Sequence, residues 1–144
     1  MKKYSVLIFI LFTAFVFSQQ SIISLNEAKT QALKESKNII LIFSGSDWCA
    51  PCIKLDRSIF QSDEFKKAAE ENWIVIRADF PKKKANTLSP EQKEVNNKLA
   101  EKYNPEGNFP KVLVLDTKGI VLGIMGYEKV TSEVYIQKLK KFHK

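Results

Sequence analysis

The chain lacks the parts from which most active sites are built. One histidine occurs in 144 residues, and it is His143, second from the end. A Ser-His-Asp or Cys-His catalytic unit therefore has no plausible base. Two cysteines allow a single bridge, which excludes a disulfide-dense mini-protein and a zinc site made of cysteines alone. The five glycines form no cluster, so no phosphate-cradling loop is present. The formal charge of +7 is carried by lysines spread among acids, without the aromatic–basic motifs of nucleic-acid binders. There is no internal repeat and no interior linker. What remains is a hydrophobic content of 44 %, which excludes wholesale disorder, in a chain of single-domain length.

One long apolar run exists, and it lies at the start. After Met1-Lys2-Lys3 the chain is apolar from Val6 to Phe17, broken only by Thr13, and Ser18 precedes Gln19-Gln20. A basic start, about 7–15 apolar residues and small residues near a cut describe a secretory signal peptide. The run is too short to cross about 30 Å of hydrocarbon comfortably. An uncleaved anchor or a buried helix is the competing reading. No cysteine stands near the cut to take a lipid. With residues 1–18 removed, the domain is 19–144; Lys2 and Lys3 leave with the signal, taking +7 to +5. No second long apolar run follows, so no membrane span is expected after cleavage. The expected location is periplasmic, or else extracellular, where a disulfide is permitted.

The remainder alternates helix and strand. Ser24 and Glu27 fit a capping box for a helix reaching about Lys37, with Leu25, Ala28, Ala32 and Leu33 on one face. Ile39 to Phe43 is a short β-branched apolar run, as in a strand buried on both faces. A turn over Ser44 to Asp47 leads through Trp48-Cys49-Ala50-Pro51-Cys52 into a helix over Ile53–Phe60, and Ser62 caps another ending near Asn72. Trp73–Asp79 is a second strand, Pro81–Pro90 a loop with Lys82-Lys83-Lys84, and Glu91–Tyr103 a helix. Val112–Leu115 and Ile120–Met125 read as a hairpin across Asp116-Thr117-Lys118-Gly119. Thr131 or Ser132 caps a last helix carrying Val134, Tyr135, Leu139 and Phe142. The order implies an α/β fold with helices on both faces of a small mixed sheet.

Cys49 and Cys52 sit where the buried strand hands over to a helix. At a helix start, residues i and i+3 share a face and can form a reversible disulfide. Unpaired N–H groups and the helix dipole favour a thiolate at Cys49. Cys52, one turn further in, is expected to be more shielded. Cys49 is thus the attacking thiol and Cys52 the resolving one. Pro51 suits the first helical turn, where its missing N–H costs nothing. A fixed structural disulfide and half of a metal site are the competing readings; no second Cys or His pair supports the latter.

Trp48-Cys49-Ala50-Pro51-Cys52, the strand Trp73–Asp79, and Phe109-Pro110-Lys111-Val112-Leu113-Val114-Leu115-Asp116 with Lys118-Gly119 together resemble the thioredoxin superfamily. Asp47-Trp48-Cys49 followed by Ser62-Asp63-Glu64-Phe65 looks most like its exported branch, which includes the catalytic domains of periplasmic reductase relays. The resemblance spans roughly residues 24–143. It implies a thioredoxin fold with a central mixed sheet of four or five strands. It also implies no cofactor or metal beyond the cysteine pair. Pro110 would be the cis-proline facing the disulfide, Phe109 would help pair an extended substrate segment, and Gly126 would lie on the rim of the substrate groove. Trp48 flanks the thiol and is a candidate substrate contact. The implied partners are proteins bearing thiols or disulfides, with a membrane electron donor and a monomeric state; nucleic acid is not among them.

Three features depart from that family's pattern. Phe43 stands six residues before Cys49, where thioredoxins keep a buried acid. Ile53 follows Cys52 in place of the common lysine. Proton handling must therefore differ, through water or through Asp47, whose bland reading is a solvated loop acid. The stretch between Asp79 and Phe109 is also longer than a minimal thioredoxin needs; its three lysines read as a solvated loop, or as a site for an acidic partner.

The direction of exchange is not set by the fold. Potentials in this class run from about −270 mV to about −120 mV, a gap of about 7 kcal/mol. A helix dipole supplies only about 0.3–2 kcal/mol, and every member has one. Strong oxidants and isomerases typically carry a histidine between the cysteines. Ala50-Pro51 has none, which favours a reductase of protein disulfides. The alternative is a binding or chaperone-like module with a permanent bridge.

Overall fold

The computed structural model describes residues 24–143; the segment read as a signal peptide lies outside them. The elements are α1 (Leu25–Glu35), β1 (Asn38–Ser44), α2 (Ala50–Leu55), α3 (Asp63–Asn72), β2 (Trp73–Asp79), α4 (Pro90–Tyr103), β3 (Lys111–Leu115), β4 (Val121–Met125) and α5 (Ser132–Lys140). The strands form one sheet in the order β2-β1-β3-β4. β1 runs parallel to β2 and antiparallel to β3, and β3 pairs antiparallel with β4. Among the described residues the expected mixed sheet has four strands.

β1 is covered on both faces. Ile40 and Ile42 point to a cluster with Leu55, Phe65, Tyr135 and Leu139, from α2, α3 and α5. Ile39, Leu41 and Phe43 point the other way, to Ala28, Ala32, Leu99 and Tyr103 on α1 and α4. This is the period-2 alternation of a central strand, with an apolar layer at each turn of the pleat. The two layers clamp β1 so that its C-terminal end is a fixed point.

The predicted caps are largely where they were read. Ser24 and Glu27 close the capping box, Ser62 accepts from the Phe65 N–H, and Thr131 rather than Ser132 caps α5. Ser89 caps α4, which begins at Pro90. Two apolar assignments do not hold. Leu33 is 70 % exposed and Val134 is 44 % exposed. Each follows or precedes a buried residue by one position, and a step of about 100° carries it off the core face.

The helix expected over Ile53–Phe60 also changes character. α2 stops at Leu55, and Asp56–Phe60 widens into a π-helical turn closed by the Gln61 N–H donating to the Asp56 carbonyl at 2.9 Å. The wider turn seats the consecutive Ile59 and Phe60 in the core together. Sequence periodicity alone could not show this.

Because Leu41 is fully buried at the sheet centre, Leu41→Ala should lower stability by about 2–5 kcal/mol. Leu33→Ala should change it by less than about 0.5 kcal/mol. Urea unfolding of the oxidised protein measures both.

Candidate active site at the Cys49–Cys52 pair

β1 ends at Ser44, and the chain turns back on Gly45. The Trp48 and Cys49 N–H groups both donate to the Gly45 carbonyl, at 3.2 and 2.9 Å. A side chain at position 45 would put a Cβ 2.4 Å from the Trp48 indole. Glycine is therefore required for the indole to fold back over the turn. Cys49 then becomes the N-cap of α2, and its sulfur accepts the Cys52 N–H at 3.3 Å. Pro51 lies in the first turn, where no N–H is needed.

The two cysteines form a disulfide with Cα atoms 5.2 Å apart. They are 5 % and 3 % exposed, so burial alone does not separate the attacking from the resolving sulfur. What does differ is the cap: Cys49 is the sulfur that receives a backbone N–H. Among the described residues no group of three or more Cys, His, Asp or Glu side chains could hold a metal.

Trp48 sits 39 % exposed beside the disulfide. Its indole N–H donates to the Phe80 carbonyl at 2.7 Å, and its ring meets Phe109 edge-on at 5.6 Å. Phe80 packs on Phe109 at 5.5 Å. Trp73 has a different job, buried at 3 % exposure and stacked on Phe65.

The Phe109–Pro110 peptide is cis, as the resemblance implies. Its loop is held by Asn104, 2 % exposed, whose side chain both donates to the Asn108 carbonyl at 2.9 Å and accepts the Asn108 N–H at 3.0 Å. The sequence reading ends the helix at Tyr103 and gives Asn104 no role of its own, although an Asn ahead of Pro105-Glu106-Gly107 is turn chemistry. Gly126 lies against Pro110: a Cβ there would meet the Pro110 carbonyl oxygen at 3.7 Å. The buried Tyr135 hydroxyl donates to the Gly126 carbonyl at 2.9 Å. Burial, and then the Glu128 charge, push the Tyr135 phenol up and keep it a donor. Trp48, Phe109, Pro110 and Gly126 are thus linked by contacts, and Trp48 adjoins the disulfide in the chain.

Asp47 is not a free loop acid. One oxygen accepts the Lys82 N–H and the other accepts the Lys83 N–H and the Asn86 side-chain amide, all at 2.9 Å. The Lys82 N–H does most to hold its carboxyl below the usual value, aided by Asn86 and Lys83. Both oxygens are occupied, which leaves Asp47 poorly placed to relay protons.

Phe43, in place of the buried acid, is fully enclosed against α1 and α4. On the other side, Cys52 shares a cleft with polar groups. A cleft of about 710 Å³ along β2 is lined by Cys52 with Ser44, Ser46, Asp56, Arg77 and Asp79. Asp56 pairs with Arg77 at 2.7 Å, whereas the Asp79 carboxylate accepts from the Ser46 N–H and hydroxyl. Asp56 also accepts from the Gln61 amide at 3.2 Å, so of the two acids Asp79 is the one without a cation among these partners.

This fold and this site define a thioredoxin-like thiol:disulfide oxidoreductase. Residues 20–117 match the family described as thioredoxin-like, and the chain belongs to that family. It is 38 % identical over 114 residues to the disulfide bond reductase DsbH of Chlamydia pneumoniae, covering 79 % of this chain and 67 % of that protein. Against the thioredoxin-related protein DsbJ of the same organism the identity is 30 % over 78 residues, covering 51 % of this chain and 22 % of that protein. A solved DsbH oxidoreductase superposes with a TM-score of 0.76 at 36 % identity, covering 83 % of this chain and 81 % of that one. The reduced C-terminal domain of Neisseria meningitidis DsbD shares the fold, with a TM-score of 0.54 at 24 % identity and coverage of 83 % and 94 %.

Two predictions follow from the supports of the site. Asn104→Ala removes both side-chain bonds to the exposed Asn108 backbone and should cost about 0.5–1.5 kcal/mol for each bond, read by urea unfolding. For Asp47, a lowered folded-state pKa means its tether is intact at neutral pH and lost only as pH falls through that lowered value. The Lys82 and Lys83 amide NMR shifts should titrate together with a midpoint below the ordinary 3.8, and Asp47→Asn should abolish the transition.

Proposed function

We propose that the chain is an exported reductase of protein disulfides, sent out by a signal at residues 1–18 to work as domain 19–144 in the periplasm. The observation that carries the direction is the Cys49-Ala50-Pro51-Cys52 couple itself, which closes a disulfide at a helix N-cap with no histidine between its sulfurs. Its similarity to a protein named a disulfide bond reductase supports the same direction.

In the reduced enzyme the Cys49 thiolate attacks one sulfur of a substrate disulfide. That bond breaks, one substrate sulfur leaves as a thiolate and takes a proton, and Cys49 is joined to the other in a mixed disulfide. Cys52 then loses its proton into the cleft and attacks the Cys49 sulfur. The mixed disulfide breaks, the second substrate thiol departs, and the enzyme is left in the disulfide form described above. Two electrons have passed to the substrate. Two must return from a dithiol donor, and an exported enzyme draws them from a membrane carrier. The Phe109 backbone before Pro110 offers pairing to an extended substrate segment, with Trp48 and Gly126 at its borders. Among the described residues no helix is long and apolar enough to cross a membrane. In this reading the protein is a monomer that meets its carrier at the membrane surface. The cysteine pair needs no further cofactor for this exchange.

The reduction potential of the Cys49–Cys52 couple tests the direction. A value near the about −270 mV of thioredoxin supports the reductase; one near the about −120 mV of the strong periplasmic oxidant overturns it. Insulin reduction with dithiothreitol should fall more than about 100-fold in Cys49→Ser, since the thiolate is the nucleophile.

A further inference from the structure

The lysine loop is not absorbed by the exchange mechanism, yet it is built onto the active site. Lys82, Lys83 and Lys84 are all exposed. The backbone N–H groups of the first two are held by Asp47, two residues before Cys49, and Asn86 adds a third bond to the same carboxylate. The Lys82 ammonium stands 3.8 Å from the centre of the Trp48 ring. A loop that would otherwise lose its charges to free motion is thus fixed beside the disulfide.

Its charge is also not taken up by salt bridges. From Pro81 to Pro90 the chain has no acid. The ion pairs among the described residues engage Lys37, Arg77, Lys98, Lys111 and Lys138, but none of these three. Asp47 feels the Lys83 charge, but it is one negative charge against three positive, with both oxygens already bonded.

We propose that Lys82-Lys83-Lys84 is a docking rim that recruits acidic segments of partner proteins to the Cys49–Cys52 pair. The inference rests on the reading of this site as a reductase of protein disulfides. A protein segment is favoured over other polyanions because the rim adjoins Trp48 and Phe109, aromatic faces at the place where a polypeptide must lie for its sulfur to reach Cys49. Charges at the rim of an interface act on the rate of encounter and its salt dependence, within a Debye length of about 8–10 Å. The rim therefore selects by the charge flanking the partner's disulfide, and leaves the exchange step alone.

The test uses the reduced protein and three synthetic peptide disulfides, flanked by Asp and Glu, by Ser, or by Lys. Second-order rates are followed by tryptophan fluorescence at low salt and at about 0.5 M NaCl, where the Debye length has shrunk to a few ångströms. The acidic peptide should react about threefold to tenfold faster than the Ser peptide at low salt, and the advantage should vanish at high salt. Lys83→Gln/Lys84→Gln should remove most of the advantage while leaving the Ser peptide unchanged. Lys34→Gln/Lys141→Gln deletes the same charge at the far end of β1, where Asn38 meets the C-terminal residues, and should retain it.

Equal rates for acidic and neutral peptides, or an equal loss in the far-end control, would overturn the rim while leaving the reductase standing. Failure to reduce any peptide would overturn both. If the loop substitutions alter only binding to anionic lipid vesicles and not the peptide rates, the rim serves a membrane and the proposal is wrong.

Discussion

The arrangement depends on one constraint: β1 is inaccessible from either face. From Ile39 to Phe43 every side chain is buried, so the strand cannot slip by one residue without exchanging both apolar layers at once. Its parallel neighbour β2 and antiparallel neighbour β3 fix it laterally. A strand held this firmly delivers Gly45 to one place, and the turn on Gly45 delivers Cys49 to the start of α2. The chemistry is therefore positioned by burial several residues away from it, and the sulfurs need few contacts of their own.

The second layer of organisation is the convergence of separate segments on the turn. Asp47 binds the loop after β2, Trp48 binds the Phe80 carbonyl, and Phe109 from the approach to β3 packs on both aromatics. Asn104 sets the approach from the end of α4, and Tyr135 on α5 holds Gly126. Elements from most of the chain each contribute one directed contact. None of these bonds is strong alone, since a typical hydrogen bond nets about 0.5–1.5 kcal/mol. Together they hold the segments that border the disulfide.

How much of this was legible in the sequence follows from the range of each signal. The strands and most caps are written in local pattern: the β-branched run at Ile39 to Phe43, Ser24 with Glu27, Ser62 before Phe65. Cys49 and Cys52 were legible because spacing and setting are local too. The π turn at Asp56–Phe60 was not, because it answers the demand of the core for Ile59 and Phe60 together. Leu33 was misplaced because adjacent apolar residues on a helix cannot say which of them faces inward. The tether of Asp47, read either as a proton-handling group or as a solvated loop acid, was not legible because its partners lie 35 to 39 positions away. Asn104 was underrated for the opposite reason: its partner is near, but its consequence for Pro110 appears only in three dimensions.

Phe43 shows how such an active site can work without a buried acid beneath it. A carboxyl enclosed at that position would be costly to ionise, and its usefulness lies in that reluctance to ionise. A phenylalanine removes the cost and the function together, and seals the α1/α4 side against protons. Cys52 is also among the residues that line the cleft along β2. There Asp56 is committed to Arg77, while Asp79 is held by the Ser46 backbone and hydroxyl. The cleft is roomy enough for water and polar enough to retain it. The cleft opens beside β2, an edge strand of the sheet, so a proton released from Cys52 on that side would meet solvent-accessible groups and not the apolar layer under Phe43.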